Sequence, residues 1–159
     1  MTTKTLIITA LLAMLPIFEL RGAIPYAVAN GMALPMAALL AFIMNALVAP
    51  AAFLFLETFH KLFYRWAWYK RLFDRVVERT RTKLHAKIEK YGYWGLLLFV
   101  AVPLPITGAW TGSLAAWIFG LGRRKSMLMI ALGVFIACII VSLVVGLGVT
   151  ALSIFVKEV

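Results

Sequence analysis

The sequence predicts an all-α integral membrane protein: two re-entrant helical hairpins and two transmembrane helices in an inverted repeat, with a cytoplasmic amphipathic helix between the halves. Three observations carry this reading. Of 159 residues, 64 % are hydrophobic, more apolar surface than a soluble domain of this size buries in one core. Ten of the sixteen basic residues fall between Lys61 and Lys90, and three more form Arg123-Arg124-Lys125. Between these clusters, Tyr91 to Gly122 carries no charge yet is broken at Pro103-Leu-Pro105. Flanks rich in Lys and Arg mark the cytoplasmic face, so both ends of this segment belong on one side and the chain must enter the membrane and return.

The elements follow in chain order within a single membrane domain, 1–159: a first hairpin and span (1–58), a basic connector (59–90), and a second hairpin and span (91–159). Lys4 and the apolar Thr5 to Leu15 resemble the start of a secretory signal peptide. More membrane-type sequence follows instead of a polar mature domain, so cleavage is not expected. Thr5 to Asn30 reads as an apolar arm, a break from Pro16 to Pro25, and a second arm rich in small residues. Met32 to Leu56 is long enough to span a hydrocarbon core of about 30 Å, with Pro35 and Pro50 near its ends or bending it. The connector alternates Leu62, Trp66, Tyr69, Phe73, Val76, Leu84 and Ile88 with Arg and Lys at mostly helical spacing. That pattern predicts an interfacial amphipathic helix, with a break near Thr80 to Thr82. Tyr91 to Val102 and Ala109 to Gly122 would reach only roughly 18 to 21 Å as helices, too short to cross alone. Ser126 to Val156 is a second full span. If the N-terminal break is also a hairpin, the two spans run in opposite directions, as in inverted-repeat transporters; a simple span over 5–30 would satisfy the charges equally.

The net charge of +10 sits beside apolar spans, which suits anionic lipid headgroups and not nucleic acid. The single Cys138 lies mid-span, so no disulfide framework exists and the residue reads as a small buried hydrophobe. No Ser/His/Asp set, metal-ligand cluster or phosphate-loop motif is present, so neither an enzyme nor a metal or cofactor site is expected. His60 and His85 read as solvated bystanders.

Glu19 and Arg21 are the leading site candidates, because charge at membrane depth is costly unless paired or wetted. Arg21 would offer a donor fork to a phosphate or carboxylate, with Glu19 as its counter-ion or as a carboxyl that exchanges a proton. A static salt bridge holding the loop is the structural alternative. The second break offers Thr107, Gly108, Trp110 and Thr111, with the N–H groups of the following helix as an opposite wall. Asn45, inside a span, is either helix glue or a substrate contact. Gly108, Gly112, Ala116 and Gly120, like Ala23, Ala27 and Gly31, form small-residue strips suited to close helix packing, which also make a homodimer reasonable.

At Glu19-Leu-Arg21-Gly22-Ala-Ile-Pro25 and Pro103-Leu-Pro105-Ile-Thr107-Gly108-Ala-Trp110-Thr111-Gly112, the chain resembles the family named putative small multi-drug export proteins, over essentially its whole length. The architecture is also similar to the DedA or VTT superfamily of lipid-moving proteins with opposed re-entrant hairpins. The second hairpin departs from that pattern, offering Thr107, Trp110 and Thr111 in place of basic residues. The first family's name implies drug efflux. The second resemblance, taken with Arg21 and Glu19, implies a transporter or flippase of the inner, cytoplasmic membrane for an anionic headgroup such as a lipid or polyprenyl phosphate, coupled to protons or sodium, while the basic flanks place 59–90 and 123–125 on the cytoplasmic side. An exporter of cationic amphiphiles that uses Glu19 and Trp110, or a scaffold that transports nothing, are the alternatives.

Overall fold

A computed structural model describes residues 2–59, 63–104 and 107–157. Pro105 of the second break and His60, Lys61 and Leu62 of the connector lie outside the described residues, as do the side chains of Arg79, Lys83, Leu84, His85 and Ile88. Among the described residues there are seven α-helices and no strand: α1 Thr3–Met14, α2 Glu19–Ala29, α3 Leu34–Ala46, α4 Val48–Leu54, α5 Ala67–Ala101, α6 Ala109–Ile118 and α7 Arg123–Lys157.

Two stretches are long and apolar enough to cross a bilayer, Leu34–Phe59 and Arg123–Val149. In the first, Pro35 occupies the opening turn of α3, where its missing N–H costs nothing. Pro50 cannot donate to the carbonyl four residues back, and the helix breaks at Leu47 before restarting as α4. The stretch ends in one π-helical turn, Phe55–Phe59. Large apolar side chains such as Leu39, Leu128, Leu143 and Leu147 point outward, a surface that suits lipid and not water. The protein is therefore a helical membrane protein.

Three contacts fix how α3 and α7 lie together. Leu34 abuts Gly146, the Cys138 thiol donates to the Ala38 carbonyl at 3.4 Å, and the rings of Phe42 and Phe135 meet edge to face at 5.7 Å. As one number rises the other falls, so the helices are antiparallel. The pair α1 and α2 packs on α3, and the pair formed by the last part of α5 with α6 packs on α7. Leu6, near the start of α1, packs with Ala27 and Met32 at the far end of α2. In the second half, Gly122 N–H donates to the Tyr93 hydroxyl at 2.9 Å, joining the beginning and end of that segment.

Close approach is achieved with glycine. A Cβ on Gly112 would lie 2.6 Å from Val100 Cγ2, and one on Gly133 would lie 2.8 Å from Val100 Cβ and 2.9 Å from the Leu97 carbonyl. The small-residue strips are thus used inside the chain: Ala23, Ala27 and Ala116 are fully buried.

Two expectations are corrected. Pro25 does not mark a break but lies inside α2, because Ala23, Ile24 and Ala27 bury one face while the proline faces outward; the first break shrinks to residues 15–18. The connector helix is not interrupted at Thr80 to Thr82. Thr82 Oγ1 instead donates to the Glu78 carbonyl at 2.9 Å, a bond the helix tolerates. The interruption comes at Gly92, with φ 52° and ψ −124°, a conformation that favours glycine. The connector also packs on the second half of the chain. Tyr69 and Phe73 stack at 5.7 Å, and Phe73 meets Trp117 of α6 at 6.1 Å.

Candidate functional site

The two breaks meet between α3 and α7. Pro16 lies in the first and Pro103 in the second, as their disruption of helix predicts. Glu19 opens α2 with φ 45°, a left-handed conformation rare for a residue other than glycine. Such strain is of order 1 to 3 kcal/mol and tends to gather at sites. Its carboxylate is buried and accepts the Trp110 N–H, in the first turn of α6, at a long 3.4 Å. That contact places negative charge at the positive end of a helix, a favourable arrangement.

Arg21, half-buried, crosses to the other break. Its Nη2 donates to the Thr107 carbonyl and, at 3.0 Å, to Thr107 Oγ1. The threonine hydroxyl in turn organises its own loop: it lies 2.7 Å from the Val102 carbonyl and 2.8 Å from that of Leu104, and it accepts the Leu104 N–H at 3.1 Å. Among the described residues Glu19 and Arg21 form no ion pair with each other, so the expected counter-ion contact is replaced by two contacts across the breaks. Their positions two apart at the head of a helix account for this, since such side chains diverge.

Gly108 lets the two breaks approach closely. At φ 151° and ψ −166° it occupies a region essentially restricted to glycine, and a Cβ there would overlap the Glu19 carboxylate. Trp110 Nε1 donates to the Met14 carbonyl at 2.7 Å, satisfying the end of α1. Asn45, fully buried, does the same for Ala13, with Nδ2 2.9 Å from its carbonyl. Thr111 bonds only weakly within its own turn, to the Gly108 carbonyl at 3.4 Å; it lines a separate apolar groove.

Of the residues expected to form a site, Glu19, Arg21, Asn45, Pro103 and Gly108 border one small cavity. Thr107 and Trp110 touch the same charged pair, whereas Pro16, Trp110 and Thr111 line a groove of about 240 Å³ with Phe55, Tyr69 and Phe73. Sequence reasoning missed the aliphatic wall of the cavity, Val100, Val134 and Val141, which carries no local signal. It also missed the ion pair of Glu57 with Arg123 at 2.8 Å, which charges at the ends of successive spans would have suggested. Among the described residues no cluster of His, Cys, Asp and Glu could hold a metal ion.

No curated protein and no solved structure matches the chain. The family model described as "Putative small multi-drug export protein" matches residues 19–140, a stretch that begins at Glu19 and includes Arg21, Asn45, Thr107, Gly108 and Trp110. With most of its length matched, the chain belongs to that family.

Proposed function

We propose that the protein carries an amphiphile with an anionic headgroup, such as a lipid or polyprenyl phosphate, across the inner membrane between two re-entrant hairpins. The observation that carries this reading is Arg21. Its guanidinium sits at the junction of the breaks with only Nη2 engaged among the described residues, leaving donors in a fork that suits phosphate or carboxylate. The hairpins are supported by the bond between Tyr93 and Gly122, which brings both ends of the second segment together, and by Leu6 beside Met32 in the first. Because α3 and α7 are antiparallel and each begins where its hairpin ends, the hairpins open toward opposite faces, as an inverted repeat requires. Residues 59–90 and 123–125 then lie on the cytoplasmic side, where the basic connector meets anionic lipids. A homodimer belongs to the same proposal, through an outward apolar face that includes Leu39 and Leu143, because Ala23, Ala27, Gly108, Gly112 and Ala116 of the small-residue strips are already buried.

The test is reconstitution in liposomes with a fluorescent phosphatidate. Arg21→Ala and Glu19→Gln should each slow headgroup translocation by at least tenfold, and normal rates in both variants would end the assignment. Loss of folded protein in both would favour the scaffold reading instead. The family description supports a second reading, export of cationic amphiphiles. The aromatic groove ending at Trp110 would hold the apolar body, with cation–π contact at the ring. That reading predicts that Glu19→Ala abolishes drug resistance in cells while Arg21→Ala leaves it intact.

A further inference from the structure

The cavity shared by Glu19, Arg21 and Asn45 measures about 10 Å³, room for one water molecule. Asn45 is fully buried, and its amide is oriented by the bond from Nδ2 to the Ala13 carbonyl. Its Oδ1 has no hydrogen-bond partner. An acceptor left unpaired at that depth is costly, so a donor that completes it in one state of the protein stabilises that state. Two side chains bordering the cavity can donate: Arg21, which is drawn toward Thr107, and Glu19 when it carries a proton.

We propose that Asn45 Oδ1 is the acceptor for a proton carried by Glu19, and that this proton loads together with an anion on Arg21. The inference rests on the transport reading above and specifies its coupling ion. With no anion bound, burial disfavours charge on Glu19, while the Trp110 N–H and the positive charge of Arg21 favour the carboxylate, turned toward α6. An anion on the free donors of Arg21 offsets that charge and sets a second negative group beside the carboxylate. Uptake of one proton from water converts carboxylate to carboxyl and relieves the repulsion. The new O–H turns to Asn45, so the proton offsets one negative charge of the entering anion.

The surroundings favour a proton over sodium. A hard cation takes several oxygen ligands, whereas the side chains described around this cavity offer one carboxylate and one amide oxygen, faced by a guanidinium. Among the residues whose side chains are described, the other titratable or charged groups on α2 and the helices packed against it are Tyr26, Lys4 on α1, and Cys138 and the 123–125 cluster on α7. None of these borders the cavity.

Infrared spectroscopy of the whole protein in nanodiscs tests the pair. Asn30 and Asn45 are the two asparagines of the chain, so Asn30→Ser with ¹³C-labelled asparagine isolates the Asn45 amide band. As pH falls, a protonated-carboxyl band should appear and the Asn45 band should shift with the same midpoint; neither change should occur in Glu19→Gln. Asn45→Leu should lower the midpoint by about one pH unit, the worth of one hydrogen bond. Dihexanoyl phosphatidate should raise it in the otherwise unsubstituted protein and not in Arg21→Ala. An Asn45 band indifferent to pH, or a carboxyl band abolished by sodium, overturns the proton pair. A midpoint indifferent to the phosphatidate overturns co-loading. If these signatures hold and lipid is not translocated, the transport reading fails and the proton pair stands.

Discussion

Gly108→Ala probes the contact between the two breaks most directly, because two separable penalties meet at that residue. The first is backbone strain: φ 151° with ψ −166° is nearly closed to residues with a Cβ, and such conformations cost about 1 to 3 kcal/mol. The second is collision, since the added methyl would overlap the Glu19 carboxylate. The carboxylate must swing away and give up the Trp110 N–H, a charge-assisted bond worth about 1 to 2 kcal/mol at its long distance. The sum is roughly 2 to 5 kcal/mol, which for a chain of this length lowers the melting temperature by on the order of 10 °C. Thermal unfolding in detergent, read by tryptophan fluorescence, gives the loss. Repeating it in a Glu19→Ala background removes the collision and leaves the strain, so Gly108→Ala should then cost only about half as much, a coupling of the size that double-mutant cycles resolve for touching residues. Equal costs in the two backgrounds would show that Glu19 does not lie against Gly108, and the site geometry would be wrong.

Thr107→Val keeps the shape but removes the hydroxyl that serves both Arg21 and Leu104; stability should fall by about 2 to 3 kcal/mol, measured by the same unfolding assay. Gly112→Ala and Gly133→Ala should each destabilise by about 1 to 3 kcal/mol through overpacking. Val100→Ala should rescue the first, which clashes with a Val100 methyl, and not the second, which clashes with Val100 Cβ and the Leu97 carbonyl; unfolding of the double variants distinguishes them. Arg123→Ala should cost under about 1 kcal/mol, less still at high salt, because both partners of its pair with Glu57 are more than 40 % exposed.

Much of the architecture was legible because its causes are local. The Pro-Leu-Pro run announces a break through ring geometry, Pro50 announces the interruption of the first span, and the charge-free stretches show which segments meet lipid. Gly92 was not legible, because an isolated glycine after a helical pattern is a weak signal and Thr80 to Thr82 looked the better place to stop. Pro25 misled for the opposite reason: packing of Ala23, Ile24 and Ala27 carried the helix past a residue that by itself disfavours it. Glu19 and Arg21 stood out by their cost at depth, yet their partners could not be read, since Thr107 and Trp110 lie more than eighty residues away and only the folded chain brings them near. The valine wall of the cavity was invisible in a sequence full of valines.

At Gly92 a Cβ would meet no neighbouring atom within 4 Å among the described residues, so what reserves the position for glycine is its backbone torsions and not crowding. The charged rod from Ala67 to Tyr91 is consequently joined to the inner arm as a lever is joined to its axle. Any tilt of the rod therefore reaches the second half by two routes, the dihedral angles of Gly92 and the contact of Phe73 with Trp117.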